Sequence, residues 1–121
     1  THSKAEELAQ EFGSLVTSVQ WENREDALIG ASLLINTTSQ GMHGEPALDI
    51  SLTNLPTDAL VSDAVYIPME TPLLKEARQR GNSTVNGLGM LIHQARPAFH
   101  AWFGVMPEIT HELNELITST F

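Results

Sequence analysis

Short apolar runs alternate along this chain with segments whose apolar residues recur at helical spacing. The runs at 33–38, 60–67 and 82–85 are bounded by polar, proline or glycine residues, which is typical of buried strands. Helical patterns occupy 71–80 and 87–103, between and after these runs. Strands that alternate with helices are joined by right-handed crossovers and form a parallel sheet. The sequence therefore predicts an α/β domain built on a parallel sheet.

The remaining elements are predicted from local signals. Ser3 is expected to cap the first helix, Glu6 to complete a capping box three residues later, and Gly13 to end that helix. The other predicted elements are a strand over 15–21, a short helix over 23–30, one helical turn over 55–60 and a last helix opened by Pro107.

The chain opens on a helix, with no strand before it and no G-x-G-x-x-G turn anywhere. A dinucleotide-binding domain begins with a strand, a Gly-rich turn and a helix. The pattern therefore leaves two alternatives: another α/β fold, or a dinucleotide-binding domain that lacks its first βαβ unit.

Composition excludes several classes of protein. The 121 residues fit one domain, and no apolar run approaches the roughly 18 residues that span a bilayer. The absence of cysteine excludes disulfides and thiolate metal sites, and the five histidines lack metal-ligand spacing, so no metal is expected. Six basic residues against fifteen acidic ones, a net charge of −9, disfavour nucleic-acid and membrane partners. A cytoplasmic protein with a small-molecule ligand is expected.

Four segments resemble the shikimate dehydrogenase family. In chain order they are THSKAEELA (1–9), LLINTTSQGM (33–42), DAVYIPMETPLL (63–74) and NGLGMLIHQARPAFHAWFG (86–104). The resemblance implies that 1–121 form the C-terminal portion of a Rossmann-like, three-layer NADP-binding domain, without its first βαβ unit, its Gly-rich loop and the N-terminal substrate domain. It also implies the family's reaction, the NADPH-dependent reduction of 3-dehydroshikimate to shikimate in aromatic amino-acid biosynthesis.

Five cofactor contacts follow from the resemblance. Thr1 and Lys4 lie where the family binds the adenosine 2′-phosphate, and the alternative for Lys4 is a solvated surface residue on the first helical turn. Asn36, Thr37 and Thr38 follow a predicted strand and could hydrogen-bond a cofactor ribose or phosphate. Turn chemistry that simply ends the strand is the alternative for these three side chains.

Four further positions are assigned by the same resemblance. Ala64 is expected to contact the nicotinamide through its backbone, and Tyr66 to approach the substrate. Gly87 is expected to admit a planar ring at a helix start, and Gln94 to hydrogen-bond the polyhydroxylated substrate. The alternatives are a half-buried aromatic residue for Tyr66 and a tight strand–helix junction with a polar helix residue for the other two. Asn86 stands where the family usually has Asp.

The three strand ends, at Thr38, Tyr66 and Asn86, are expected to converge on one crevice, because ligands of parallel sheets bind beyond the carboxyl ends of the strands. Gly87 and Gln94 are expected to form its wall.

No catalytic residue is expected in this chain. The family's catalytic Lys and Asp belong to the N-terminal domain, and the only lysines here are Lys4 and Lys75. The chain alone is therefore expected to be a fragment without turnover. Two alternatives remain open: a related dehydrogenase acting on quinate, and a non-catalytic α/β module that forms homo-oligomers through an exposed sheet edge.

Overall fold

Three parallel strands form the sheet in the computed structural model, which describes residues 1–120. They are β1 (Leu33–Asn36), β2 (Leu60–Asp63) and β3 (Ser83–Val85), in the order β1-β2-β3. The register pairs Asn36 with Asp63, so β1 and β2 end side by side. The predicted α/β class with a parallel sheet is confirmed.

Four α-helices accompany the sheet, and short 3₁₀ turns fill much of the segment between α1 and β1. Within residues 1–120, no helix combines the length and the apolar composition needed to cross a bilayer. The helices are α1 (His2–Phe12), α2 (Pro72–Arg80), α3 (Leu88–Phe103) and α4 (His111–Thr118), and the 3₁₀ turns are Gly13–Leu15, Trp21–Asn23 and Asp26–Leu28.

Helix α2 follows its sequence signals closely. The Thr71 hydroxyl accepts a hydrogen bond from the backbone N–H of Leu74, and Pro72 occupies the first turn, where its missing N–H costs no helical bond. Gly81 ends the helix with φ of 96°, a left-handed conformation that favours glycine. The apolar face of α2 packs into the main core, whose buried members are Leu28, Leu52, Leu55, Ala59, Val61, Leu73, Leu74 and Ala77.

Helix α3 is buried only near its start. The helical spacing of its apolar residues predicts a longer buried stripe, formed by Leu88, Leu91, Ile92, Ala95, Ala98, Phe99 and Trp102. Leu88 and Ile92 are buried, whereas Phe99 is exposed and Trp102 is 77% exposed. Sixteen residues rise about 24 Å, about twice the length of a four-residue strand, so the outer half of α3 extends past the sheet. The remaining members of the predicted stripe, none of them buried, are Leu91, Ala95 and Ala98.

The strand predicted over 15–21 is absent, because this segment has no partner: the open edge of β1 pairs with nothing in the described chain. The helix predicted over 23–30 is wrong: this segment holds the end of the 3₁₀ turn Trp21–Asn23 and the whole of the 3₁₀ turn Asp26–Leu28. The helical turn predicted over 55–60 is a pair of hydrogen-bonded turns over 52–55 and 56–59.

Two predicted helix starts are displaced. Ser3 lies inside α1, whose first residue follows Thr1 directly, and no side chain caps that helix. Helix α4 begins after Thr110 rather than at Pro107, because the Thr110 hydroxyl accepts from the backbone N–H of Leu113 and fixes the first turn there.

Candidate functional site

Two loops leave the carboxyl ends of β1 and β2 and enclose a crevice of about 120 Å³ that opens to solvent. Methyl, thioether and aromatic groups predominate in its lining, so it suits a flat, weakly polar group better than a charged one. The residues that line it are Thr38, Met42, Ala64, Val65, Tyr66 and Ile67.

A buried pair of polar side chains lies beneath this crevice. Asn36 and Asp63, at the ends of β1 and β2, are 3% and 1% exposed. Asn36 Nδ2 donates to Asp63 Oδ1 at 3.0 Å and to the carbonyl oxygen of Gln40 at 3.0 Å. Asn36 Oδ1 accepts from the backbone N–H of Thr38 at 3.0 Å and from its hydroxyl at 2.8 Å. These four bonds fill both donors and both lone pairs of the amide, so Asn36 shapes the first loop and has no capacity left for a ligand.

Asp63 connects the same pair to the second loop and to α2. Its Oδ1 also accepts from the backbone N–H of Val65 at 3.0 Å. Its Oδ2 accepts from the hydroxyl of Thr71 at 2.7 Å, and that hydroxyl caps α2. The carboxylate therefore lies close to the positive end of the helix dipole, which favours its negative charge.

Backbone hydrogen bonds join the two loops directly. The N–H of Ala64 donates to the carbonyl oxygen of Asn36 at 2.9 Å, and the N–H of His43 donates to the carbonyl oxygen of Ile67 at 3.1 Å. The crevice is thus bounded at both ends by bonds between its walls. The Ala64 N–H is therefore not available to a ligand.

Gly87, the residue before α3, packs against the back of the second loop. Its N–H donates to the carbonyl oxygen of Val65 at 3.0 Å. A Cβ at this position would lie 2.5 Å from the carbonyl carbon of Ala64 and closer still to its oxygen. Glycine is required here by the approach of the protein's own backbone, which is the tight-junction alternative stated above.

The structure brings together three of the predicted site residues, Thr38, Ala64 and Tyr66, in the lining of one crevice. Gly87 adjoins that lining from behind, through Ala64 and Val65. Thr37 is exposed beside the crevice but is not part of its lining.

Asn86 and Gln94, which the sequence places at the same crevice, are not part of this lining. The Asn86 amide turns toward Met69, donating to its carbonyl oxygen at 3.1 Å, while its oxygen accepts from the N–H of Leu88. Asn86 thus lines a different pocket, together with Arg78. Gln94 is exposed on α3, about 10 Å along the helix from Gly87.

The two residues assigned to a phosphate lie at the start of α1. Thr1 is exposed and lines a separate surface pocket with His2, Ala5, Val19 and Trp21. Lys4 is exposed on the first turn of the helix. The structure therefore keeps this pair apart from the crevice lining.

The sequence assigns no role in the functional site to three residues that the structure places there: Asp63, Thr71 and Met42. A signal for Asp63 was present, because an acidic residue at the end of an apolar run requires a partner. Among residues 1–120, no three His, Cys, Asp or Glu side chains cluster in a way that could hold a metal ion.

The comparisons with known proteins agree with one another. Residues 87–111 match the family model described as the shikimate 5′-dehydrogenase C-terminal domain. The shikimate dehydrogenase (NADP(+)) of Rhodopseudomonas palustris (strain BisB5) is 54% identical over 114 residues, which are 94% of this chain and 40% of that protein. That of Azorhizobium caulinodans is 50% identical over 119 residues, 98% of this chain and 42% of that protein.

Solved structures give the same result. Quinate dehydrogenase from Corynebacterium glutamicum in complex with NAD matches with a TM-score of 0.84 and 34% identity, over 98% of this chain and 43% of that one. Shikimate 5-dehydrogenase from Thermus thermophilus, in complex with NADP(H) and shikimate, matches with a TM-score of 0.74 and 33% identity, over 89% and 39%. The chain spans about two fifths of the length of the curated relatives that it matches. By sequence and by fold, the chain is similar to a part of the shikimate and quinate dehydrogenases that it matches.

Proposed function

We propose that residues 1–121 form the C-terminal portion of the nicotinamide-nucleotide-binding domain of a cytoplasmic shikimate dehydrogenase. The activity to which this portion contributes is the NADP-dependent interconversion of 3-dehydroshikimate and shikimate. The observation that carries the proposal is the apolar crevice at the carboxyl ends of β1 and β2, lined by Thr38, Ala64 and Tyr66. The names of the relatives support the choice of substrate and cofactor.

The crevice fits a nicotinamide ring, because its lining is mostly apolar and its walls are joined by hydrogen bonds before any ligand arrives. When bound, the nicotinamide supplies the hydride. The contribution of this chain is to hold and orient the ring: Ala64 and Val65 form one side of the crevice, and Thr38 and Met42 line it from the first loop. A preformed site loses little entropy on binding, because no loop has to be ordered.

Tyr66 is proposed to meet the substrate, because it lies in the crevice lining, where the substrate must approach the ring. Its phenol can donate or accept a hydrogen bond, as a polyhydroxylated substrate requires. Gln94 is proposed as a second substrate contact from the exposed surface of α3. Because Gln94 lies about 10 Å along the helix from Gly87, it is proposed to contact the end of the substrate that is farther from the nicotinamide ring.

Thr1 and Lys4 are proposed to contact the adenosine 2′-phosphate. The first backbone N–H groups of a helix and its dipole attract an anion, and Lys4 adds a cation on the first turn of α1. This local field acts against the net charge of −9. Thr37 is proposed as a ribose or phosphate contact, because it is exposed next to the crevice.

Two half-cofactors test the two ends of the proposed site separately. In ¹⁵N-labelled chain, nicotinamide mononucleotide is expected to shift the amide signals of Thr38, Ala64 and Tyr66. Adenosine 2′,5′-bisphosphate is expected to shift those of Lys4 and Ala5, and adenosine 5′-monophosphate, which lacks the 2′-phosphate, serves as its control. No response to nicotinamide mononucleotide in the crevice would contradict the proposal.

An activity assay gives the second test. The crevice lining contains no Lys, His or carboxylate that could serve the reacting oxygen. We therefore expect no shikimate-dependent reduction of NADP⁺ by the 121-residue chain. Measurable turnover would refute the proposal that this chain binds the cofactor and contributes no catalytic residue.

A second candidate substrate is quinate, favoured by the TM-score of 0.84 to a quinate dehydrogenase in complex with NAD. Chemical-shift titrations with shikimate and with quinate, each in the presence of nicotinamide mononucleotide, distinguish the two. A larger response of Tyr66 and Gln94 to shikimate favours the first proposal, and a larger response to quinate favours the second.

The third functional hypothesis is a module that forms homo-oligomers. It is supported by the exposed Leu33 and Ile35 on β1, whose outer edge pairs with no other described strand. Light scattering tests it: a concentration-dependent dimer supports pairing at this edge, and a monomer at all concentrations excludes it.

A further inference from the structure

We propose that Asp63 is a positioning residue that sets the separation of the two crevice walls, and with it the affinity for the nicotinamide half of the cofactor. The inference rests on the proposed function, since it takes the crevice to be the nicotinamide site. It concerns a side chain that lies beneath the crevice and is not part of its lining.

The burial of Asp63 is the first reason. A carboxylate that is 1% exposed is costly unless it is paired or fully hydrogen-bonded. Within the described residues it forms no ion pair, so three hydrogen-bond donors and the nearby start of α2 stabilise its charge. Apolar packing could fill this space at lower cost, so the carboxylate is explained better by what it holds in place.

The arrangement of the donors is the second reason. One oxygen, Oδ1, accepts from Val65 N–H at 3.0 Å, which fixes the wall formed by Ala64 and Val65. The same oxygen accepts from Asn36 Nδ2 at 3.0 Å, and the other end of that amide holds both the N–H and the hydroxyl of Thr38. A single carboxylate oxygen is therefore the common anchor of the two walls.

The third donor prevents the carboxylate from rotating. Thr71 is fully buried, and its hydroxyl donates to Oδ2 of Asp63 at 2.7 Å while it caps α2. Rotation of the Asp63 side chain would break this bond and leave the buried Thr71 hydroxyl without its acceptor. Through Thr71, the positions of both crevice walls are fixed relative to α2, and α2 is held in place by the main core.

Asn82 provides a matched control outside the crevice. It is 5% exposed, and its Nδ2 donates to the carbonyl oxygens of Pro56 and Ala59. Asn82→Ala therefore removes a buried, hydrogen-bonded side chain, as Asp63→Ala does, but none of its partners lines the crevice. A purely structural role for Asp63 predicts the same ligand binding in both variants.

The test compares the dissociation constants of nicotinamide mononucleotide and adenosine 2′,5′-bisphosphate for the 121-residue chain and for Asp63→Ala, Asp63→Asn and Asn82→Ala. Each titration is made where urea unfolding shows the variant to be folded. Asp63→Ala is expected to weaken nicotinamide mononucleotide binding roughly tenfold or more, because the donors that fix both crevice walls lose their common acceptor. Its affinity for adenosine 2′,5′-bisphosphate is expected to stay within about twofold, and Asn82→Ala is expected to change neither beyond this range.

Asp63→Asn keeps the test decisive if the alanine variant does not fold. The amide retains one acceptor oxygen for the Asn36 and Val65 donors but loses the charge that strengthens both bonds, so an intermediate loss of nicotinamide mononucleotide affinity is expected. Equal affinities for nicotinamide mononucleotide in wild type and Asp63→Asn, or equal losses in Asp63→Ala and Asn82→Ala, overturn the positioning role. A wild-type chain that does not bind this ligand overturns the proposed function itself, and the positioning role with it.

Discussion

Asn36 Nδ2 lies 3.0 Å from Asp63 Oδ1, and this hydrogen bond joins the carboxyl ends of two neighbouring parallel strands beneath the crevice. Both side chains are buried, so water cannot take the place of either partner if this hydrogen bond is lost. The geometry of the crevice therefore depends on a bond that no ligand touches, and substitutions at and around it give the sharpest tests of the structure.

Asn36→Asp is expected to destabilise the chain by roughly 3–5 kcal/mol at pH 7, because a second carboxylate would face Asp63 without a compensating cation. Urea unfolding measures the change. Asn54→Asp is the control: Asn54 is exposed and makes one hydrogen bond, to the carbonyl oxygen of Glu25, so a loss below about 1 kcal/mol is expected. Similar losses in the two variants would show that the Asn36–Asp63 contact does not form.

Gly87→Ala is expected to cost about 3 kcal/mol, because the new methyl group would overlap the Ala64 carbonyl and only backbone movement could relieve it. Gly89→Ala, two residues later in α3, meets nothing within 4 Å and is expected to stabilise by about 0.5–1 kcal/mol. The two free energies of unfolding should therefore change in opposite directions. A neutral Gly87→Ala would mean that the junction between the second loop and α3 is looser than described.

Thr71→Val is expected to destabilise by about 2–3 kcal/mol, since it removes the cap of α2 and leaves Oδ2 of the buried Asp63 without its donor. Thr110→Val removes the exposed cap of α4 together with the hydrogen bond of Thr110 to the exposed Glu112 carboxylate. About 1 kcal/mol is expected for the loss of this surface cap. Thermal or urea unfolding of the two variants measures the difference. Equal effects would indicate that the Thr71–Asp63 bond contributes nothing beyond the helix cap.

Ala64→Leu is expected to abolish the response to nicotinamide mononucleotide, because the larger side chain occupies the crevice, while the response to adenosine 2′,5′-bisphosphate persists. Ala101→Leu adds the same bulk at an exposed position of α3 and should leave both responses intact. Chemical-shift titration measures both. Undiminished nicotinamide mononucleotide binding by Ala64→Leu would place the ring elsewhere.

The elements that the sequence predicts well are those fixed by local chemistry. Thr71, Pro72 and Gly81 define α2 through a cap, a first-turn proline and a left-handed stop, all within eleven residues. The short apolar runs around Leu33 and Leu60 form strands as predicted, but the predicted burial holds only for β2, because Leu33 and Ile35 of β1 are exposed.

The features that the sequence predicts wrongly or misses depend on interactions between residues that are distant in the chain. The run at 15–21 has strand composition, but a strand also needs a partner, and pairing is not encoded in the run itself. The apolar stripe of α3 predicts burial as far as Trp102, whereas the described chain covers only its first turns. The anchor at Asp63 depends on donors at positions 36, 65 and 71, which become neighbours only when the sheet has formed.

The most direct test of the proposed nicotinamide site is a set of intermolecular nuclear Overhauser effects between the protons of the nicotinamide ring and the chain, recorded with saturating nicotinamide mononucleotide. Contacts from the ring protons to the Ala64 methyl group and to the side chains of Met42 and Tyr66 are predicted, since these residues line the crevice. Contacts confined to α4 or to the pocket beside Arg78, with none to Ala64, would contradict the assignment.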